Sequence, residues 1–591
     1  MKKLLKYLKG YGKQSIIAPL FKMLEACFEL FVPIVTARII DIGIKNADNP
    51  YIWRQCAVLV ALGVIGLACS LTAQFFAARA SMGFGTNLRK DLYAHINSLS
   101  YTELDKIGTP TLVTRITSDV NQVQTGVNLF LRLFLRSPFI VVGAVVMAFS
   151  ISVKMTVIFL VAVPLIALAI FVIVKLTIPI YKKVQNTLDR VVLLTRENYT
   201  GARVVRAFSR QEDEKKAFAD TNETLMGIQL QAGKISALMN PITYVLVNLA
   251  IIAILLAGGR EVMVGSLTQG EVIALVNYMN QILIALVALA NLIITVTKAW
   301  ASAIRVNEVF AEKSSMEEGS YMKIEKKTAV REDAEHGNRE KIEKASVIFE
   351  NVTFSYAGSR EPSLQNVSFT IEKGQTVGVI GGTGSGKSTL VNLIPRFYDV
   401  QEGRVLVDGR PVQDYSFEAL RSNIGIVPQK SVLFTGTIRE NMRWSDEHAT
   451  DAEIWEALEI AQAKEFVEAK AGKLDEMSLT GGRNFSGGQR QRLCIARALV
   501  GKPEILILDD SASALDFATD AALRKAIKEK TKGMTTFLVS QRVATVRYAD
   551  QIIVLDDGEV AGIGTHDKLL QECSVYREIC QSQLSKEEVG A

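Results

Sequence analysis

Long apolar runs crowd the first 300 positions of the chain and then stop. Stretches of about 20 apolar residues, the length that crosses a bilayer, occur at 15–40, 55–79, 130–151, 155–178, 237–258 and 271–297. The clearest, MTVIFLVAVPLIALAIFVIV (155–174), carries no charge, whereas the first is interrupted by Lys22, Glu25 and Glu29. This pattern predicts six membrane helices. Their connections are unequal: short loops follow the first, third and fifth, while about 50 to 60 polar residues separate the second from the third and the fourth from the fifth. Those long stretches keep helical periodicity, as in NLRKDLYAHINSL and QNTLDRVVLLTREN. They predict helical hairpins reaching roughly 35–40 Å beyond the membrane. Glycine and clustered charge break the pattern at YTELDKIGTP (101–110) and AFSRQEDE (207–214), which are therefore read as tips where a soluble half docks.

A charged, poorly apolar linker spans 311–345. The expected division is a transmembrane domain over 1–320, a linker over 321–345 and a soluble domain over 346–591. Of the 591 residues 49% are hydrophobic and 22% charged, too apolar for an ordinary soluble protein. The six cysteines form no C-x-x-C pair, which argues against a zinc cluster or a disulfide framework. The net charge of +6 does not point to nucleic acid, because the basic residues lie between apolar segments and in MKKLLKYLKGYGK. Positive-inside bias accounts for them, and with an even number of spans it places both ends and the soluble domain in the cytoplasm of a plasma-membrane protein. The basic start followed by an apolar run resembles a secretory signal, but the charges interrupt it and no A-x-A site follows, so it is read as a retained first helix.

Glu25 and Glu29 share one helix face, where charge facing lipid is costly. They either attract cationic substrates or fix the first helix against its neighbours, and the second reading is preferred. Asn277, Asn280, Gln281 and Asn291 pose the same choice.

In the soluble part, Gly381, Gly382, Thr383, Gly384, Ser385, Gly386, Lys387, Ser388 and Thr389 spell GGTGSGKST between the strand-like QTVGVIG and the helix-like STLVNLI. That is the context a phosphate loop needs. The glycines let amides turn inward around phosphates, Lys387 meets the β- and γ-phosphates, and Ser388 ligates Mg²⁺. ILILDD supplies a matching strand, with Asp509 placed to hold the metal through water. Between them, NFSGGQRQRLCIARALV sets Ser486, Gly487 and Gly488 ahead of a helix, a second anion site. Two phosphate sites imply two nucleotides, or one shared between chains.

The phosphate loop and the S-G-G-Q run (Ser486–Gln489), together with six membrane helices, resemble the ATP-binding cassette transporters over the whole chain. The resemblance implies an all-α six-helix transmembrane domain followed by an α/β phosphate-loop nucleotide-binding domain, of the exporter type, using ATP and Mg²⁺. It implies that Tyr356 stacks on adenine, that Gln429 contacts magnesium and senses the hairpins, and that Ser513–Asp516 crosses to a second cassette with Asp516 as its acid. In this family two cassettes close head to tail, so that the SGGQ of one chain, Gln489 included, covers ATP on the other.

The chain departs from the pattern where the family has a water-polarising glutamate and a γ-phosphate histidine: Asp510 and Gln541 stand there. Aspartate falls roughly 1 Å short of glutamate's reach, a misplacement that can cost ~100-fold in rate. Glutamine donates a hydrogen bond but carries no proton or charge near neutral pH. No histidine makes good the loss: of His95, His336, His448 and His566, the last reads as a strand-to-helix structural residue. TGGRN (480–484) also lacks the acid the family often has before its signature. The expectation is a heterodimer in which a second, similar half-transporter bears the missing glutamate and histidine, exporting amphipathic small molecules across a lipid bilayer. Siderophore import and ATP-gated channel or sensor activity are the alternatives.

Overall fold

The computed structural model describes residues 2–322, 344–511 and 515–584. Most of the predicted linker, Ser513, Ala514 and His336 lie outside the described residues. The chain divides into two compact units, one comprising residues through Asn97 and Thr109–Glu312, the other Ser98–Gly108 and the chain from Lys313 onward.

The first unit is helical. Its long elements are Gly12–Arg38, Asn49–Ser98, Val120–Leu133 continued by Arg136–Ile151, Val153–Thr200, Gln211–Ala237 continued by Met239–Val264, and Gln269–Ala311. At 1.5 Å per residue the 50-residue second helix is about 75 Å long. It therefore exceeds any bilayer by itself. Five stretches among the described residues are long and apolar enough to cross a membrane, and Gly12–Arg38 is not one of them by composition.

Lys22, Glu25 and Glu29 of that first helix are paired. Lys22 Nζ lies 2.6 Å from the Glu25 carboxylate and 3.0 Å from the Ser70 hydroxyl. Arg136 donates to both oxygens of Glu29, at 2.7 and 2.8 Å. Gln281 donates to the Glu29 carbonyl at 3.2 Å, and the buried Tyr278 hydroxyl donates to the Leu30 carbonyl at 2.6 Å. The Glu29 carboxylate thus ties the first helix to Arg136–Ile151, Glu25 acts through Lys22, which reaches Ser70 of Asn49–Ser98, and the last helix meets the Glu29 and Leu30 carbonyls. Asp41 adds another tie, accepting from the Thr268 hydroxyl at 2.6 Å and the Gly270 amide at 2.8 Å. A Cβ at Gly270 would stand 2.4 Å from the Ala37 carbonyl oxygen, so close approach of the two helices requires glycine there.

In the second unit a six-stranded sheet runs in the order Glu559–Gly564, Gln551–Asp556, Thr376–Gly381, Thr535–Val539, Ile505–Asp509, Ile424–Val427. All neighbours are parallel except the first pair. Every residue of Ile505–Asp509 and Thr535–Val539 is buried, which explains the apolar runs Ile505–Leu508 and Phe537–Val539: parallel strands are covered on both faces. A four-stranded antiparallel sheet, ordered Leu364–Glu372, Ala345–Phe354, Glu402–Val407, Arg410–Pro411, stacks its apolar side on the same core.

The first predicted tip belongs to this unit. Ser100 and Glu103 form a capping box that starts the short helix Tyr101–Ile107. The ring of Tyr101 packs on Phe397 at 4.7 Å, and Asp105 accepts from the Tyr398 hydroxyl at 2.7 Å. The second predicted tip lies in the first unit, where Ser209 turns the chain at φ +54° after the helix Ala202–Ala207 and leaves Phe208 exposed.

Candidate nucleotide site

Four parallel strands end on the same edge of the sheet, and each carries a site residue just beyond or at its last position: Gly381, Asp509, Ser540 and Gln429. Open sheets of this kind bind ligands outside their strand carboxyl ends. A cavity of about 310 Å³ lies there. Thr383, Gly384, Gly386, Lys387, Ser388 and Thr389 line it from the loop. Tyr356 lines it from the loop after Ala345–Phe354, Gln429 from the loop after Ile424–Val427, Asp509 from the end of its strand, and Asp510 and Gln541 from just beyond the strands Ile505–Asp509 and Thr535–Val539. Three lining residues had no sequence signal: Ser363, Val539 and Ser540.

The loop's geometry depends on glycine. Gly386 sits at φ +91°, and a Cβ on it would stand 2.6 Å from the Ser363 carbonyl oxygen. The Lys387 ammonium is curled back onto the loop, 3.0 Å from the Gly381 carbonyl and 3.3 Å from the Ser385 hydroxyl, with Gly382 O as a further acceptor. These acceptors occupy donors that phosphate oxygens would take over. Ser388 donates its hydroxyl to Asp509 Oδ1 at 3.0 Å. The pair is a hard-oxygen donor set of the kind magnesium takes. Among the described residues no cluster of three or more His, Cys, Asp or Glu could close a metal site, so a cation here would complete its shell with water and phosphate oxygens. The residues therefore fit a magnesium nucleotide.

Burial lowers the pKa of Lys387, opposed by Asp509 and Asp510, and burial raises that of Asp509, opposed by the Ser388 hydrogen bond and reinforced by Asp510. Burial thus works against the charged form of each group, and a ligand of opposite charge would relieve that opposition. The Tyr356 hydroxyl lies 3.2 Å from the Thr389 hydroxyl, which anchors the ring to the loop.

Asp510 has a left-handed backbone, φ +46°, fixed by its amide donating to the Val539 carbonyl at 2.9 Å. Gln541 is held by its backbone: its carbonyl accepts from the Gln583 side chain at 2.7 Å. His566 opens the helix His566–Glu572 with Nδ1 2.8 Å from the Tyr576 hydroxyl, a packing role.

Ser486, Gly487, Gly488 and Gln489 do not line this cavity. Ser486 caps the helix Gly487–Val500, accepting from the Gln489 amide at 3.2 Å, and the Gln489 side chain accepts from the Ser486 amide at 3.1 Å. The Gly488 carbonyl accepts from Arg492 at 3.3 Å. Asp516 caps the helix Phe517–Lys530 by accepting from the Thr519 amide at 3.1 Å. In TGGRN, the Thr480 hydroxyl lies 3.0 Å from that of Thr435, and Asn484 brackets Met477 and Leu479.

The family profile described as ABC transporter transmembrane region matches residues 15–287, and the one described as ABC transporter matches 364–513. An uncharacterised ABC transporter ATP-binding protein of Bacillus subtilis, YfiB, is 37% identical over 588 residues, 99% of each chain. This chain belongs to the ABC transporter family. It carries the family's transmembrane and ATP-binding regions fused in one polypeptide, a multi-pass membrane architecture. An ATP-dependent lipid A-core flippase of Syntrophus aciditrophicus is 31% identical, covering 100% of this chain and 95% of the relative. The structure of a bacterial Atm1-family ABC exporter with ATP bound shares the fold at a TM-score of 0.78 and 22% identity, over 97% of this chain and 98% of that one. The fold is a helical transmembrane domain followed by an α/β nucleotide-binding domain, and the cassette binds ATP as its family does.

Proposed function

We propose that this ABC transporter is one subunit of a heterodimeric exporter of amphipathic compounds, and that its own site holds ATP but turns it over slowly. The observation that carries the reading is that Asp510 and Gln541, the two departures from the family pattern, line the same cavity as Lys387, Ser388 and Asp509. A cavity equipped to hold a nucleotide, with its two positions for chemistry filled by a short acid and a neutral amide, is a clamp.

In this reading Tyr356 stacks on adenine, the amides of Gly381–Gly386 and Lys387 hold the phosphates, and Ser388, Gln429 and Asp509 hold magnesium. Bound magnesium neutralises charge on the β- and γ-phosphates. Asp510 reaches toward the attacking water from too far back, and Gln541 donates a hydrogen bond without a positive charge. Ser486–Gln489, outside this cavity, completes a competent site on a second half-transporter bearing the glutamate and histidine, and Asp516 crosses toward that partner. Both ends and the cassette face the cytoplasm, and the transmembrane region sits in the plasma membrane. The flippase relative supports lipids within the substrate class.

The test is ATPase of the purified chain alone and co-expressed with its partner. Slow hydrolysis alone and substrate-stimulated hydrolysis in the pair are expected. Brisk hydrolysis by the chain alone would overturn the proposal.

A further inference from the structure

Tyr356 borders two cavities. Besides the phosphate cavity, it lines a second one of about 430 Å³, whose other walls include Thr102 and Asp105 of the tip helix, Phe354 and Tyr398. The rings here form a continuous chain. Tyr356 meets Tyr398 edge-on, with centroids 5.2 Å apart and planes at 85°. Tyr398 meets Tyr101 at 6.0 Å, and Phe354 braces Tyr356 at 5.0 Å and Tyr398 at 5.5 Å. The Tyr356–Tyr398 and Phe354–Tyr356 pairs are edge-to-face, an arrangement that is attractive and orients both rings.

The chain is fixed at both ends by hydrogen bonds. The Tyr356 hydroxyl is spent on Thr389, beside the phosphate loop, and the Tyr398 hydroxyl donates to Asp105 of Tyr101–Ile107. Burial, then the Asp105 carboxylate, raises the Tyr398 pKa, so the hydroxyl stays a donor at any physiological pH.

We propose that Tyr398 is a positioning residue for the nucleobase: it sets the ring of Tyr356 and ties that setting to the tip helix, so that base binding and seating of the tip share one free energy. The proposal rests on the reading of Tyr356 as the adenine platform. Phosphates are met by Lys387, Ser388 and the glycine loop, which the ring chain reaches only at its far end through the Tyr356–Thr389 hydrogen bond, whereas a base meets the Tyr356 ring itself. A ligand with phosphates but no base is therefore far less sensitive to Tyr398 than one that carries a base. Coupling between binding events is reciprocal, so a seated tip favours the base as much as the base favours a seated tip.

The experiment measures binding of a non-hydrolysable ATP analogue to the full-length chain in detergent with Mg²⁺, and of inorganic tripolyphosphate as its competitor at up to millimolar concentration. Parent, Tyr398→Phe, Asp105→Ala, the double variant and Tyr356→Ala are compared. Tyr398→Phe and Asp105→Ala are expected each to weaken the ATP analogue about threefold to tenfold, with tripolyphosphate unchanged, and the double variant to be no weaker than either single one. Amide exchange in Tyr101–Ile107 is expected to slow with the ATP analogue and not with tripolyphosphate. A merely structural role would weaken both ligands alike, and an analogue-to-tripolyphosphate ratio at the parent's value in Tyr398→Phe and Asp105→Ala overturns the proposal. If Tyr356→Ala shifts that ratio while those two do not, the platform reading stands and only the coupling falls. If Tyr356→Ala leaves it unmoved, both fall.

Discussion

Gln583, at the end of the helix Ser574–Gln583, holds the segment that carries Gln541 from both sides: its amide nitrogen donates to the Gln541 carbonyl at 2.7 Å and its oxygen accepts from the Val543 amide at 2.9 Å. Val543 is fully buried, so removal of the glutamine leaves its amide without this partner. A buried donor left unmade costs about 1–3 kcal/mol. Gln583→Ala is expected to destabilise the cassette by that amount and to speed hydrogen exchange at Val543 before any other strand-end amide. Exchange at Val543 unchanged from the parent would contradict this.

On the slow-site proposal, supplying the family's glutamate and histidine raises turnover. Asp510→Glu in the chain alone is expected to raise ATPase about 100-fold, the scale of the misplacement it corrects. Gln541→His should add to that gain in the double variant and do little by itself. Steady-state hydrolysis of the three variants checks the order.

Glu103 makes the tip helix sensitive to acid. Burial opposes its ionisation, but hydrogen bonds from Ser100 and Ser315 outweigh burial and hold its carboxyl below its ordinary value of 4.5. A depressed acid stabilises the fold above its ordinary pKa and loses that contribution as pH falls through the depressed value. Glu103→Gln is expected to cost about 2 kcal/mol at pH 7. The gap between parent and variant should persist to about pH 5 and close below 4.5, as thermal unfolding at each pH would register.

The glutamates of the first helix should behave as structural groups. Glu25→Gln strips the buried Lys22 of its carboxylate and is expected to cost about 3 kcal/mol, the loss seen when one partner of a buried pair is removed. Glu29→Gln, at a more exposed pair with Arg136, should cost less. Efflux of cationic and of neutral compounds should fall in parallel with stability. A selective loss of cationic transport would instead assign the pair to the substrate.

What could be read from the sequence follows the range of each interaction. The phosphate loop and the strand before Asp510 announce themselves within a dozen residues, because glycine spacing and burial on both faces leave local marks. The pairing of Glu29 with Arg136 spans 107 positions, and that of Tyr398 with Asp105 spans 293. No periodicity encodes contacts of that span, so the role of Tyr398 in RFYDV and of Gln583 in SQL could not be found there. The first helix illustrates the opposite risk: its charges weaken the hydropathy signal, yet Lys22 three positions before Glu25 already offered the neutralising partner.

The positive φ of Asp510 has a consequence for how this corner of the cassette can change. Short polar side chains visit left-handed backbone at little cost because they bond locally, and longer ones do so less readily. An aspartate is therefore the more comfortable occupant of this backbone than a glutamate. On the slow-site proposal, a lineage that takes the aspartate gives up rapid phosphate cleavage while keeping, or even gaining, folding free energy, and recovers it only by accepting a less stable cassette.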